Sequence, residues 1–297
     1  MNRFLQIFTL LASLGASAQP NLILHTPRTD HLFPEEADAS YILTDQATLH
    51  VSPDIEADVL VRLPAGTSLW LEEVAPDTTW GDGLRSPWYR SKVGIHEGWV
   101  WGGHIARYAF GSASDPTVKF VAGLERVHLM DTTMMPCIYR IVALRKGKSI
   151  ATYSIRSFGC GVENINSLGG RGLSNVDDII TIGVPCVGGC GCTMGEVVVF
   201  WSGGVFHHVG DLMGSPDGNY SENTRFIYPT DMEGMPGTII QETSTYDDEA
   251  TLEPAEGESA TLTRIVRREF RVWNGATLVP SDRPTEERRY QLVLPKE

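Results

Sequence analysis

The sequence predicts a mainly β protein, in which a small closed barrel is followed by a larger β-rich domain. Three observations carry this. Between residues 41 and 106, short runs with apolar alternation recur, each ended by a turn rich in Pro or Gly. That stretch closes on the aromatic and glycine-rich Gly98-Trp99-Val100-Trp101-Gly102-Gly103. The second half carries strand–Gly–strand patterns, the clearest over residues 195–209.

The chain opens with a leader. Residues 1–18 read as a signal peptide: Arg3 is the positive end, residues 4–14 are mostly apolar, and Ala16-Ser17-Ala18 fits the small-residue cleavage rule. The apolar run is too short to span a bilayer comfortably, and no later segment approaches ~18 unbroken apolar residues. The expected product is exported, to the periplasm or beyond, with no integral membrane segment. About 279 of the 297 residues remain, enough for two domains with separate cores. The formal charge of −13 disfavours nucleic acid as a partner.

The elements follow in order. Residues 48–51 form a strand before the turn Ser52-Pro53-Asp54, and residues 59–63 a second before Pro64-Ala65-Gly66. Residues 68–74 alternate as a half-buried strand does. Residues 88–93 and 97–101 make two more, with a turn at Gly94. Five strands this short suit a closed barrel, because closure removes their exposed edges. Residues 111–116 read as a linker. Beyond it, residues 118–127 open the second domain, and two strands flank Arg145-Lys146-Gly147-Lys148. Residues 179–184 are strand-like. Residues 269–273 and 276–279 flank Asn274-Gly275 and repeat the Trp-x-Gly hairpin pattern of residues 195–209. The acidic residues 247–258 read as a solvated loop that the Arg264, Arg267, Arg268 and Arg271 run can pair with.

Over residues 39–108 the chain resembles a bacterial SH3 domain. The matches are residues 49–54, 63–67, 88–92 and 98–105, although the opening is Leu49-His50-Val51-Ser52-Pro53 and not Asn-Val-Arg-Ser-Gly-Pro. The resemblance implies an SH3-like barrel of the kind used as a cell-wall or peptide-binding module. Residues 113–297 are similar to a region of secreted, SH3-bearing proteins of Bacteroidetes-type bacteria, on residues 98–103, 119–124, 190–196 and 222–231. That resemblance implies architecture and compartment, and no chemistry.

Candidate sites follow from residue type. Trp88, Tyr89, Trp99 and Trp101 are expected to form a solvent-facing aromatic groove for a peptide or peptidoglycan strand, with Tyr89 as its polar handle. The competing expectation is that such rings fill the barrel. Cys137, Cys160, Cys186, Cys190 and Cys192 are disulfide candidates in an oxidising compartment, with one left over and the connectivity open. Zinc on Cys190, Cys192, His207 or His208 lacks the usual ligand spacing, and calcium on residues 217–222 lacks the EF-hand pattern. No cofactor is expected. Gly-x-Ser-x-Gly and Walker-type loops are absent from the sequence. The expectation is a non-catalytic envelope binding protein. The alternatives are a cysteine-dependent hydrolase using Cys160 or Cys186 with His128, His207 or His208, and a structural scaffold.

Overall fold

The computed structural model describes residues 39–127, 137–157, 164–184, 194–217, 220–247 and 261–293. Among them the chain is almost entirely β, with a single 3₁₀ turn at Gly102–His104. The leader, nearly all of the acidic loop and four of the five cysteines, including zinc candidates Cys190 and Cys192, fall outside the described residues, as do residues 218 and 219 of the calcium candidate.

The first sheet is antiparallel and six-stranded. Its strands are β1 (Ser40–Tyr41), β2 (Ala47–His50), β3 (Val59–Leu63), β4 (Ser68–Gly81), β5 (Leu84–Val93) and β6 (His96–Trp101), in the order β1-β4-β5-β6-β2-β3. It curls around Ile42, Leu49, Leu63, Leu69, Leu71, Tyr89, Val100 and Ile105. The closed barrel expected from the sequence is a half-barrel. β1 and β3 are its two edges; Ile42 donates its N–H to the Thr67 carbonyl and accepts the Gly66 N–H in the β3–β4 turn, and bridges Ile105 on its other side. Two residues of β1 are too few to zip the seam.

The second sheet runs β10-β9-β8-β7, from β7 (Tyr108–Gly111), β8 (Val118–Val127), β9 (Cys137–Arg145) and β10 (Lys148–Ser157). Successive side chains on a strand face opposite ways. Phe120, Ala122, Ile141 and Ala143 pack into one core, and the alternate residues Val121, Val142 and Leu144 pack on Leu43 and Ala65 of the half-barrel. The middle of this sheet is therefore covered on both faces, which is why residues 120–122 and 141–144 read as continuous apolar runs.

The third sheet holds β11 (Asn164–Ser167), β12 (Asp178–Val184), β13 (Met194–Ser202), β14 (Val205–Asp217), β15 (Tyr220–Ile227), β16 (Ile239–Asp247), β17 (Thr261–Trp273) and β18 (Leu278–Pro280) in chain order, with β19 (Glu286–Val293) also on β17. Val197, Val199 and Trp201 of β13 face the second sheet, while Val198 and Phe200 pack with Ile239 and Trp273. Trp201 and Trp273, the tryptophans of the two Trp-x-Gly hairpins, thus sit in different cores.

The segment after β7 is not a free linker. Asp178, fully buried, accepts bonds from the Ser112 hydroxyl, the Ala113 N–H (2.9 Å) and the Ser167 hydroxyl (2.5 Å). Ser114 adds a bond to the Asp177 carbonyl. A buried carboxylate is tolerable only when so satisfied.

The half-barrel is pinned to β8 at the β4–β5 tip, where the Val127 N–H donates to the Asp82 carbonyl (3.0 Å). Gly83 there has φ +73°, and a Cβ would lie 2.0 Å from the Val127 oxygen. Gly83→Ala is expected to cost at least ~2 kcal/mol in urea unfolding, from left-handed strain plus loss of this contact.

Candidate functional site

β4, β5 and β6 set the aromatic side chains. The register places Trp88 opposite Trp101, Arg90 opposite Trp99, Lys92 opposite Glu97, and Trp70 opposite Lys92. Opposed residues share a face, so Trp70, Arg90, Lys92, Trp99, Trp88 and Trp101 lie on the outer face and Tyr89 on the inner.

The solvent-facing groove expected of Trp88, Tyr89, Trp99 and Trp101 is not formed. Trp88, Tyr89 and Trp101 are only 2%, 1% and 6% exposed. Tyr89 is part of the half-barrel core, where burial pushes its phenol up to about 12, and it offers no polar handle. Trp88 and Trp101 are covered by Leu124, Val127, Cys137 and Tyr139 of the second sheet. Their indole N–H groups are spent inside the protein. Trp88 donates to the Thr79 hydroxyl (2.7 Å), and Trp101 to the carbonyls of Thr79 (3.1 Å) and Ser86 (3.2 Å). His50 and His104 meet them edge-on at 5.2 and 5.1 Å.

The same face opens to solvent farther along. Trp99 is half-buried and Trp70 is 43% exposed. Between them stand Arg90, paired with Glu97 and with Glu73 (3.6 Å), and Lys92, paired with Glu72. Hydrogen bonds donated to Glu97 and Glu72 raise the pKa of Arg90 and Lys92 respectively, so both stay cationic. Trp70 and Trp99 sit two strands apart, about 10 Å across the sheet. Flat rings at that spacing, with charges between, can stack on an extended polar chain. Trp70 was legible in the sequence through its alternation with Leu69 and Leu71, both buried.

His104 accepts or donates at Nδ1 with the Thr44 hydroxyl (2.9 Å). Burial lowers its pKa to about 4, against the pull of Asp82 and with a small push from His50. The unfolded chain therefore binds its proton more readily than the folded one. Neutral His104 contributes its full stability above pH ~6.5, and that contribution is lost as pH falls from there towards 4, by up to about 3 kcal/mol. His104→Gln is expected to flatten the difference in urea midpoint over this window; a wild-type slope would contradict it.

The histidines proposed for thiol chemistry are engaged elsewhere. His207 packs edge-on to Trp273 (5.2 Å), and His208 bonds Asp211 (2.8 Å), an interaction that raises its pKa. Being adjacent in β14, they face opposite sides of the sheet. Cys160, Cys186 and His128 lie outside the described residues. Among the described residues no group of three His, Cys, Asp or Glu side chains is placed to hold a metal, and no helix is long and apolar enough to cross a membrane. No family model, curated protein or solved structure matches the chain.

Proposed function

We propose that the chain is an exported, non-catalytic binding protein of the cell envelope, whose SH3-like half-barrel recognises an extended peptide or peptidoglycan strand. The observation that carries this reading is the exposure of Trp70 on the same sheet face as Trp99, with the paired cations Arg90 and Lys92 between them. An extended ligand laid across that face gains ring contact at low entropic cost and polar partners along its length. Export is supported by the leader-like residues 1–18, and an oxidising compartment suits the five cysteines as disulfide candidates.

The expected result is that Trp70→Ala with Trp99→Ala weakens co-sedimentation with purified peptidoglycan by about tenfold or more, since aromatic contacts contribute on the order of 0.5–1.5 kcal/mol per ring beyond area burial. The urea midpoint of Trp70→Ala should stay near wild type. Undiminished co-sedimentation of the double variant would sink the assignment.

The scaffold reading draws on a different observation. Val51, Ile55, Val59 and Leu60 are 52%, 59%, 50% and 43% exposed beside β3, an edge strand of the half-barrel. Apolar side chains along an open edge favour strand addition by a partner chain. Light scattering separates the two readings, because Leu60→Lys should dissolve an edge-to-edge assembly and leave peptidoglycan binding intact.

A further inference from the structure

A cleft of about 230 Å³ lies where the half-barrel meets the second sheet, away from Trp70 and Trp99. Three parts of the chain build it: Thr44 and Asp45 after β1, Asp82 at the β4–β5 tip, and Glu125, Arg126 and Arg140 on β8 and β9. Its charges are divided by origin. The half-barrel contributes two carboxylates, and the second sheet two guanidiniums and the Glu125 carboxylate.

The walls are set. The Asp82 backbone is fixed by Val127, and one Asp45 oxygen accepts the Ala65 N–H (3.0 Å). Glu125 is consumed by Arg140 (2.8 Å), the Ser154 hydroxyl (2.6 Å) and Arg126 (3.4 Å). Burial works against its ionisation, but the bonds from Arg140 and Ser154 outweigh burial and hold its pKa below the usual value. Glu125 offsets one guanidinium and leaves the basic side with a net positive charge. Arg140 Nε is buried and has no hydrogen-bond partner among the described residues. A buried donor left unmet is costly unless something accepts from it.

A simple anion in this cleft would face Asp45 and Asp82, and a simple cation would face Arg126 and Arg140. A bipolar group meets both sides with opposite charge. The volume is below the ~300–1,000 Å³ of sites for larger ligands, so the group is small. We propose that this cleft binds an α-amino-acid head group, with its ammonium against Asp45 and Asp82 and its carboxylate on Arg126 and Arg140. The site is independent of the aromatic face and of the ligand assigned to it.

Isothermal titration of the full chain tests this with alanine, N-acetylalanine and alaninamide. Alanine should bind, and both blocked compounds, each lacking one charge, should bind at least about tenfold more weakly. Arg126→Ala and Asp45→Asn should each weaken alanine by a similar factor. Asn retains an oxygen for the Ala65 N–H and Arg126 is half-exposed, so both variants should fold. Trp70→Ala should leave alanine binding unchanged, which separates this site from the aromatic face. A γ-glutamyl dipeptide carries the same head on a longer body; tighter binding than alanine places the head on a larger molecule, and weaker binding identifies a free amino acid. No heat from alanine at millimolar concentration, or equal affinity for alanine and either blocked compound, would overturn the proposal, as would wild-type affinity in both variants.

Discussion

Trp101→Ala is expected to lower the free energy of unfolding by about 3–5 kcal/mol, the range for removing a buried indole. Two glycines make the site unusually dependent on that ring. A Cβ on Gly81 would lie 2.8 Å from the indole, and one on Gly103 2.3 Å from it. The backbone has closed to within contact of the ring on both sides, so little can collapse into the cavity that alanine leaves. The loss also removes the indole hydrogen bonds to the carbonyls of Thr79 and Ser86. Urea unfolding of Trp101→Ala beside Trp80→Ala checks this. Trp80 is 44% exposed, and its removal should cost about 1 kcal/mol or less. Equal losses at the two positions would contradict the placement of Trp101 in the joint between half-barrel and second sheet.

The second large effect is expected at Glu242. Its carboxylate, with the side chain 4% exposed, receives Arg225 through Nε (2.9 Å) and a second nitrogen (2.7 Å), and Arg268 through Nε (2.6 Å). Arg268 also reaches Glu233. Glu242→Ala leaves the mostly buried Arg268 with only the exposed Glu233 as countercharge, and removing the buried partner of such a group costs about 3–5 kcal/mol. Burial opposes the carboxylate, and the bonds from Arg268 and Arg225 more than reverse it, so the folded pKa lies below the unfolded one. Its stabilising contribution is present above the unfolded value near 4.3 and is lost as pH falls through the folded one. Glu242→Gln should therefore differ most from wild type at neutral pH and converge with it in acid. A gap that stays constant down the acid limb would argue against an ionised Glu242.

The hairpins were the most legible part of the chain. Lys146-Gly147 and Gly203-Gly204 adopt positive φ at the turns of β9–β10 and β13–β14. Few residues tolerate that conformation, so the turn residues alone located the strands around them. Trp99 and Trp101, two apart in β6, share one face as strand alternation requires. It could not say what covers that face, because Leu124, Val127 and Tyr139 come from β8 and β9, beyond the half-barrel. The small polar composition of residues 111–116 reads as a tether, but its anchor, Asp178, lies 66 residues after Ser112. The cleft of Asp45, Asp82, Arg126 and Arg140 was illegible for the same reason. Its charges come from separate turns and strands, and no local pattern joins them. Local chemistry fixes strands and turns; which surfaces meet is decided by packing between distant segments.

The doubly covered second sheet has a consequence for biosynthesis. Synthesis delivers the half-barrel first, so β8 and β9 can settle one flank against Leu43 and Ala65 as they emerge. Their other flank, with Phe120, Ala122, Ile141 and Ala143, has no cover until β12 and β13 have been made. A chain stopped near residue 157 would thus present a bare greasy wall to its neighbours. Shortened versions ending there should precipitate, however well the half-barrel has folded.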